Sequence, residues 1–152
     1  VYGPLPELEL KEAYFGDALF LAPAWTLAAA MSNVGVPAWL YYYSYVNEGE
    51  RGQVPGAAHG AEVSHLFRHP LRPGIPLGSR DLEVSEPLRR YWVRFARAGN
   101  PNGPGLPEWP AFTREQPKVM EFGETAHVLP MLFPGRIAFH TNAFDVSGTI
   151  RR

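Results

Sequence analysis

Two apolar patterns near the start of the chain predict a helix followed by a strand. Residues 18–33 carry large apolar side chains at helical spacing, and Asp17 stands where an N-cap is expected. Pro23 lies inside this segment and should kink or break the helix. Residues 38–46 (AWLYYYSYV) form an almost unbroken apolar run of strand length, which is typical of a parallel strand covered on both faces. A helix followed by such a strand predicts an α/β layer fold.

The clearest amphipathic helix is predicted over residues 85–98, with Ser85 as its N-cap, Pro87 in its first turn and Gly99 after its end. Its apolar face, expected to be core, comprises Leu88, Tyr91, Trp92, Phe95 and Ala96. The remaining expectations are a short helix over 61–69, an irregular stretch over 70–84, a strand over 118–122, and an ambiguous end in which 136–144 favour a helix.

Composition narrows the class of protein. The chain has 152 residues, of which 45% are hydrophobic and 19% charged, with a formal net charge of −1; these values are typical of a soluble globular domain. With no overall basic charge, a nucleic-acid partner is not expected. The longest apolar stretch, residues 18–31, is too short for a membrane span. The absence of cysteine excludes disulfides and a thiol nucleophile but leaves the cellular compartment open.

The loop after the aromatic strand is the first candidate for chemistry. Residues 47–60 (NEGERGQVPGAAHG) leave the C-terminal end of that strand, where ligands gather in open α/β sheets. Within the loop, His59 stands between Ala58 and Gly60, which leaves its imidazole room to reach a nucleophile's proton. The pattern alone fits either a general base or an ordinary surface histidine.

Several motifs, in order along the chain, resemble the type B carboxylesterases, the family of cholinesterases and bacterial para-nitrobenzyl esterases. GAAHGAEVSHLF (56–67) is similar to the family's His-Gly-x-Glu motif, which precedes an apolar run ending in Phe. The other similar segments are GDALFLAPA (16–24), WLYYYSY (39–45), RRYWVRFARAGNPN (89–102) with WPAF (109–112), and KVMEFG (118–123).

The resemblance implies that residues 1–152 are the C-terminal segment of an α/β-hydrolase, contributing late strands and covering helices. It implies that His59 is the histidine of a Ser-His-acid triad that hydrolyses a small carboxylic ester, with no cofactor. Ala61 replaces the aromatic residue of cholinesterases, which suggests a roomier site like that of bacterial general esterases.

The chain departs from the family pattern because it contains neither a Gly-x-Ser-x-Gly nucleophile elbow nor a His-Gly-Gly-Gly oxyanion loop. The serines with the wrong neighbours are Ser32, Ser44, Ser64, Ser79, Ser85 and Ser147. We therefore expect the nucleophile and the acid to come from an N-terminal remainder of the esterase, and the 152-residue chain alone to be inactive.

Three alternatives remain open at this stage. A non-catalytic, esterase-like adhesion domain would keep the fold but lose triad residues. A metal-binding module could use His59, Glu62, His65 and His69 if they shared one helix face. The arginines of the 85–98 helix could bind an anion, although a solvated face is the simpler interpretation; these arginines are Arg89, Arg90, Arg94 and Arg97.

Overall fold

The computed structural model describes residues 1–70 and 73–142. Its helices are α1 (Glu7–Gly16), α2 (Ala22–Asn33), α3 (Glu62–Phe67), α4 (Ser79–Ala98) and α5 (Pro134–Thr141), with a π-helical turn at Asp17–Leu21 and a 3₁₀ turn at Glu48–Glu50. Its strands are β1 (Tyr41–Tyr43), β2 (Lys118–Phe122) and β3 (Ala126–Pro130).

The first helical region is longer than predicted, because α1, the π-helical turn and α2 run on without a break. The backbone N–H of Ala22 donates to the Asp17 carbonyl, which is π-type spacing directly before Pro23. A proline ring crowds the carbonyl four residues earlier, and a wider turn accommodates it. Of the two effects expected at Pro23, a kink or a break, the break is wrong, and so is the N-cap role expected of Asp17.

Asp17 is instead a buried partner in an ion pair with α5. Its carboxylate accepts hydrogen bonds from Arg136 Nε at 2.5 Å and Nη2 at 2.9 Å, and only 4% of Asp17 is exposed. The predicted helix over 136–144 is confirmed as α5 up to Thr141, and residues 143–144 lie outside the described residues.

The sheet confirms the predicted parallel pairing. β1 lies parallel to β2, with Tyr41 opposite Met120 and Tyr43 opposite Phe122, and the order is β1-β2-β3. The strand predicted over 38–46 is shorter and lies at the edge of the sheet, and the described residues cover its faces only in part, since Tyr42 is 38% exposed. β3, which the sequence did not predict, follows β2 after a three-residue connection.

Helix α4 begins at Ser79, six residues before the predicted N-cap. Ser85 is buried inside the helix and donates its hydroxyl to the Asp81 carbonyl, and Pro87 is also internal. Leu88 and Tyr91 are core as predicted, whereas Phe95 is 51% exposed and is not core in this chain. The aromatic cluster around Tyr91, which includes Trp109, covers only part of the predicted apolar face.

The chain divides into two compact units. The first comprises Val1–Leu40, Ala111–Lys118 and the chain from Pro130 onward, and its core includes Ala28, Ala29 and Phe112. The second comprises Tyr41–Pro110 and Val119–Leu129 and contains the segment that carries His59.

The prediction that the chain has no membrane span has to be compared with the continuous helix Glu7–Asn33. Its 27 residues are long and apolar enough to cross a membrane by length and composition alone. Core helices of soluble proteins and signal sequences also meet these criteria, so a single helix near the N-terminus is a weak indication. The absence of a span remains a prediction.

Candidate active site

His59 lies at the corner of a tight turn formed by residues 58–61. The Ala61 N–H donates to the Ala58 carbonyl at 3.1 Å, and Gly60 has a φ of +80°. A positive φ at the third residue, after a second residue with negative φ, defines a type II turn, in which glycine is favoured. The side chain of His59 is exposed at this corner.

Helix α3 begins directly after the turn, at Glu62, which confirms the short helix predicted over 61–69. The Ser64 hydroxyl donates to the Ala61 carbonyl at 2.7 Å, and the helix ends at Arg68 in the left-handed conformation. On its far side, Arg89 of α4 donates Nε to the Leu66 carbonyl at 3.1 Å. The turn and α3 therefore form one hydrogen-bonded segment held against α4.

Alternate tyrosines along β1 and just beyond it connect this segment to the sheet. Tyr41, Tyr43 and Tyr45, which we call the tyrosine row, share one strand face because side chains alternate along a strand. The hydroxyl of Tyr41 donates to Glu62 Oε1 at 3.1 Å, and that of Tyr43 shares a 2.7 Å hydrogen bond with His65 Nδ1. Both partners lie on α3.

The third member of the row, Tyr45, donates to the buried carboxylate of Asp81 at 2.8 Å. The same carboxylate accepts the backbone N–H groups of Glu48 at 3.0 Å and Gly78 at 2.7 Å. Burial opposes the charge of Asp81, but these three donors outweigh it and hold the pKa of its carboxyl below the usual value. Asp81 therefore fixes both the start of the 47–60 loop and the start of α4.

Burial and nearby carboxylates raise the pKa of each hydroxyl in the tyrosine row, to about 12 for Tyr41. The hydroxyls consequently remain protonated at all physiological pH values and can keep their hydrogen bonds.

His65 is the most buried histidine near the turn, with no exposed surface. Burial lowers the pKa of its imidazole, although the Ala61 carbonyl and the charge of Asp81 oppose this effect. Its Nε2 is buried without a hydrogen-bond partner among the described residues.

The metal-binding alternative requires four side chains on one helix face, and the structure does not place them there. α3 includes Glu62 and His65 but neither His59 nor His69, so the four side chains do not share a helix face. Across residues 1–70 and 73–142, no group of three or more histidines and carboxylates is placed to hold a metal ion.

His59 stands out in the sequence, whereas the residues that hold its segment do not. The alternation of tyrosines at 41, 43 and 45 was the available signal, but an apolar run of this kind predicts packing and not hydrogen bonds. Asp81 was missed because the start of α4 was placed at Ser85. Two of the four α4 arginines also have a structural use: Arg89 donates to the Leu66 carbonyl, and Arg90 donates to the carbonyls of Pro104 and Gly105.

The fold is that of part of an α/β-hydrolase, as its solved structural neighbours show. It is similar to the crystal structure of the Geobacillus stearothermophilus carboxylesterase EST55 at pH 6.2, with a TM-score of 0.71 and 26% identity over 92% of this chain and 29% of that one. A structure named PNB esterase matches in fold, with a TM-score of 0.74 at 22% identity over 88% of this chain and 28% of that one.

A sequence profile of the carboxylesterase family matches residues 8–140, and the chain belongs to this family. It is 33% identical to mouse (Mus musculus) carboxylesterase 1C over 144 residues and 31% identical to pig (Sus scrofa) liver carboxylesterase over 139. These alignments cover 91% and 90% of this chain but only 25% and 24% of the relatives. The chain thus spans about a quarter of the length of these relatives.

Proposed function

We propose that this chain supplies the general base, His59, of a serine carboxylesterase that hydrolyses small carboxylic esters. The observation that supports this proposal most directly is the position of His59. It lies exposed at the corner of a type II turn, within the His-Gly-x-Glu motif. Family membership supports ester hydrolysis as the reaction.

In this proposal, the His59 imidazole takes the proton of a serine hydroxyl as its oxygen attacks the ester carbonyl. The imidazolium then gives the proton to the departing alcohol, leaving an acyl-enzyme. A water molecule, deprotonated by the same imidazole, then attacks the acyl carbonyl. The bond to the serine oxygen breaks, the carboxylic acid leaves, and the imidazolium returns its proton to the serine. The serine and the acid that orients His59 would come from parts of the esterase outside these 152 residues.

Glu62 is the nearest carboxylate in sequence but is better assigned a structural role. Its carboxylate accepts the Tyr41 hydroxyl and stands in the first turn of α3, where negative charge is favoured. We therefore assign Glu62 to holding α3 on β1 rather than to the triad.

The test is the turnover of p-nitrophenyl acetate by the full-length esterase with the substitution His59→Ala. Since removal of a triad base typically costs a factor of 10³ or more, we expect kcat to fall by about that factor with folding intact. His69→Ala, another exposed histidine ten positions later, is the matched control and should leave kcat unchanged.

Activity that survives His59→Ala would contradict the proposal. A folded full-length protein with no esterase activity before any substitution would instead favour the adhesion alternative. The 152-residue chain alone should show no turnover that depends on His59.

A further inference from the structure

Helix α3 needs external contacts to keep its place. It has six residues, fewer than an isolated helix needs for stability in water. Two of its side chains, one turn apart, reach the tyrosine row: Glu62 contacts Tyr41 at the surface, and His65 contacts Tyr43 in the interior. The bond to Tyr43 is shorter, at 2.7 Å against 3.1 Å, and its histidine has no exposed surface.

The same imidazole also touches the turn that carries His59. Its Nδ1 lies 3.4 Å from the Ala61 carbonyl, and the Ser64 hydroxyl, which donates to that carbonyl, lies 3.1 Å from Nδ1. Ala61 is the last residue of the His59 turn. Because Nδ1 accepts the Tyr43 hydroxyl, its approaches to Ala61 and Ser64 are packing contacts rather than hydrogen bonds. His65 is thus hydrogen-bonded to the strand and packed against the end of the His59 turn.

The other ring nitrogen of His65 lowers the stability of the fold. Nε2 is buried without a hydrogen-bond partner among the described residues, and an unpaired buried polar atom destabilises a fold. A phenylalanine ring would fill a similar space without that cost. The polar ring is therefore best explained by what its Nδ1 holds.

We propose that His65 is a positioning residue of the esterase site, which orients the His59 turn through its hydrogen bond to Tyr43. The proposal rests on the base function proposed above for His59. Loss of the bond lets α3 shift on β1 and moves the His59 imidazole away from the reacting proton.

The test uses the full-length esterase with Tyr43→Phe and with His65→Phe, which remove the bond from either side. Because misplacement of a catalytic group by about 1 Å can cost roughly 10²-fold, we expect kcat to fall by about 10- to 100-fold with little change in KM. The double variant should lose no more than the worse single variant, because both substitutions remove one interaction.

Tyr91→Phe is the matched control. It removes a buried tyrosine hydroxyl from the same compact unit, one that donates to the Pro107 carbonyl at 2.6 Å. The melting temperature should fall in this variant, but kcat should not, which separates a positioning role from general destabilisation.

His65→Asn provides the rescue, because the amide oxygen of asparagine can occupy the position of Nδ1 and accept the Tyr43 hydroxyl. We expect its kcat to exceed that of His65→Phe. If His65→Phe does not fold, the kcat values of Tyr43→Phe and His65→Asn test the positioning role without it.

Unchanged kcat in Tyr43→Phe would overturn the positioning role, and so would a His65→Asn variant as slow as Tyr43→Phe. If His59→Ala is inactive while Tyr43→Phe is fully active, only the positioning role fails. If His59→Ala retains activity, the proposed function itself fails.

Discussion

At the residue scale, the geometry of the His59 turn depends on Gly60. Its φ of +80° lies in the left-handed region, and an added Cβ would meet no atom within 4 Å. The requirement for glycine is therefore one of backbone conformation and not of space. Gly16, by contrast, has a helical φ of −58° inside the Glu7–Asn33 helix and equally open surroundings.

This contrast predicts opposite effects for the same substitution. Gly60→Ala should destabilise the protein by about 1–2 kcal/mol because an L-residue is strained at positive φ. Gly16→Ala should stabilise it by about 0.5–1 kcal/mol because alanine is the better helix residue. Urea unfolding of the two variants measures both, and equal shifts would show that Gly60 is not strained in this way.

His65 should give stability a pH dependence of its own. Burial lowers the pKa of its imidazole in the folded protein, so the unfolded chain binds the proton more readily. Stability from this residue is complete above the unfolded pKa, about 6.5, and is lost as the pH falls below it.

Melting temperatures between pH 7.5 and pH 5 provide the measurement. The fall on acidification should be smaller in His65→Phe than in the unsubstituted protein, because the substitution removes the buried imidazole. A His65→Phe protein with an unchanged pH dependence would contradict this assignment.

At the scale of elements, sequence patterns located helices α2 to α5 and two strands but misplaced most of their ends. Helix α4 begins before Ser85 because the Asp81 carboxylate accepts the backbone N–H groups of Gly78 and Glu48. Glu48 is 33 residues away from Asp81. A contact at that separation leaves no local periodicity. β3 was missed for a similar reason, since it depends on pairing with β2 rather than on its own pattern.

The ion pair between Asp17 and Arg136 joins two elements, the first helical region and α5. Arg136→Met should destabilise the protein by about 3–5 kcal/mol, because it leaves a buried carboxylate without its partner. Lys11→Met breaks the exposed pair with Glu7 and should cause no resolvable change. Urea unfolding compares the two, and a similar small change in both would contradict the importance of burial.

At the scale of the whole molecule, the resemblance predicted from ordered motifs is confirmed by the family match over residues 8–140. The position of His59 on a turn after a parallel strand was also predictable, because the motif and the strand pattern are both local. Its support was not, since Tyr43, His65 and Asp81 act through contacts between distant segments.

The central claim is that His59 activates a serine, and the rate of covalent labelling by a fluorophosphonate measures that activation directly. The full-length esterase should label quickly, and His59→Ala should label at least about 10²-fold more slowly because the hydroxyl has lost its general base. His69→Ala should label like the unsubstituted enzyme. Labelling of His59→Ala at the unsubstituted rate would contradict the account.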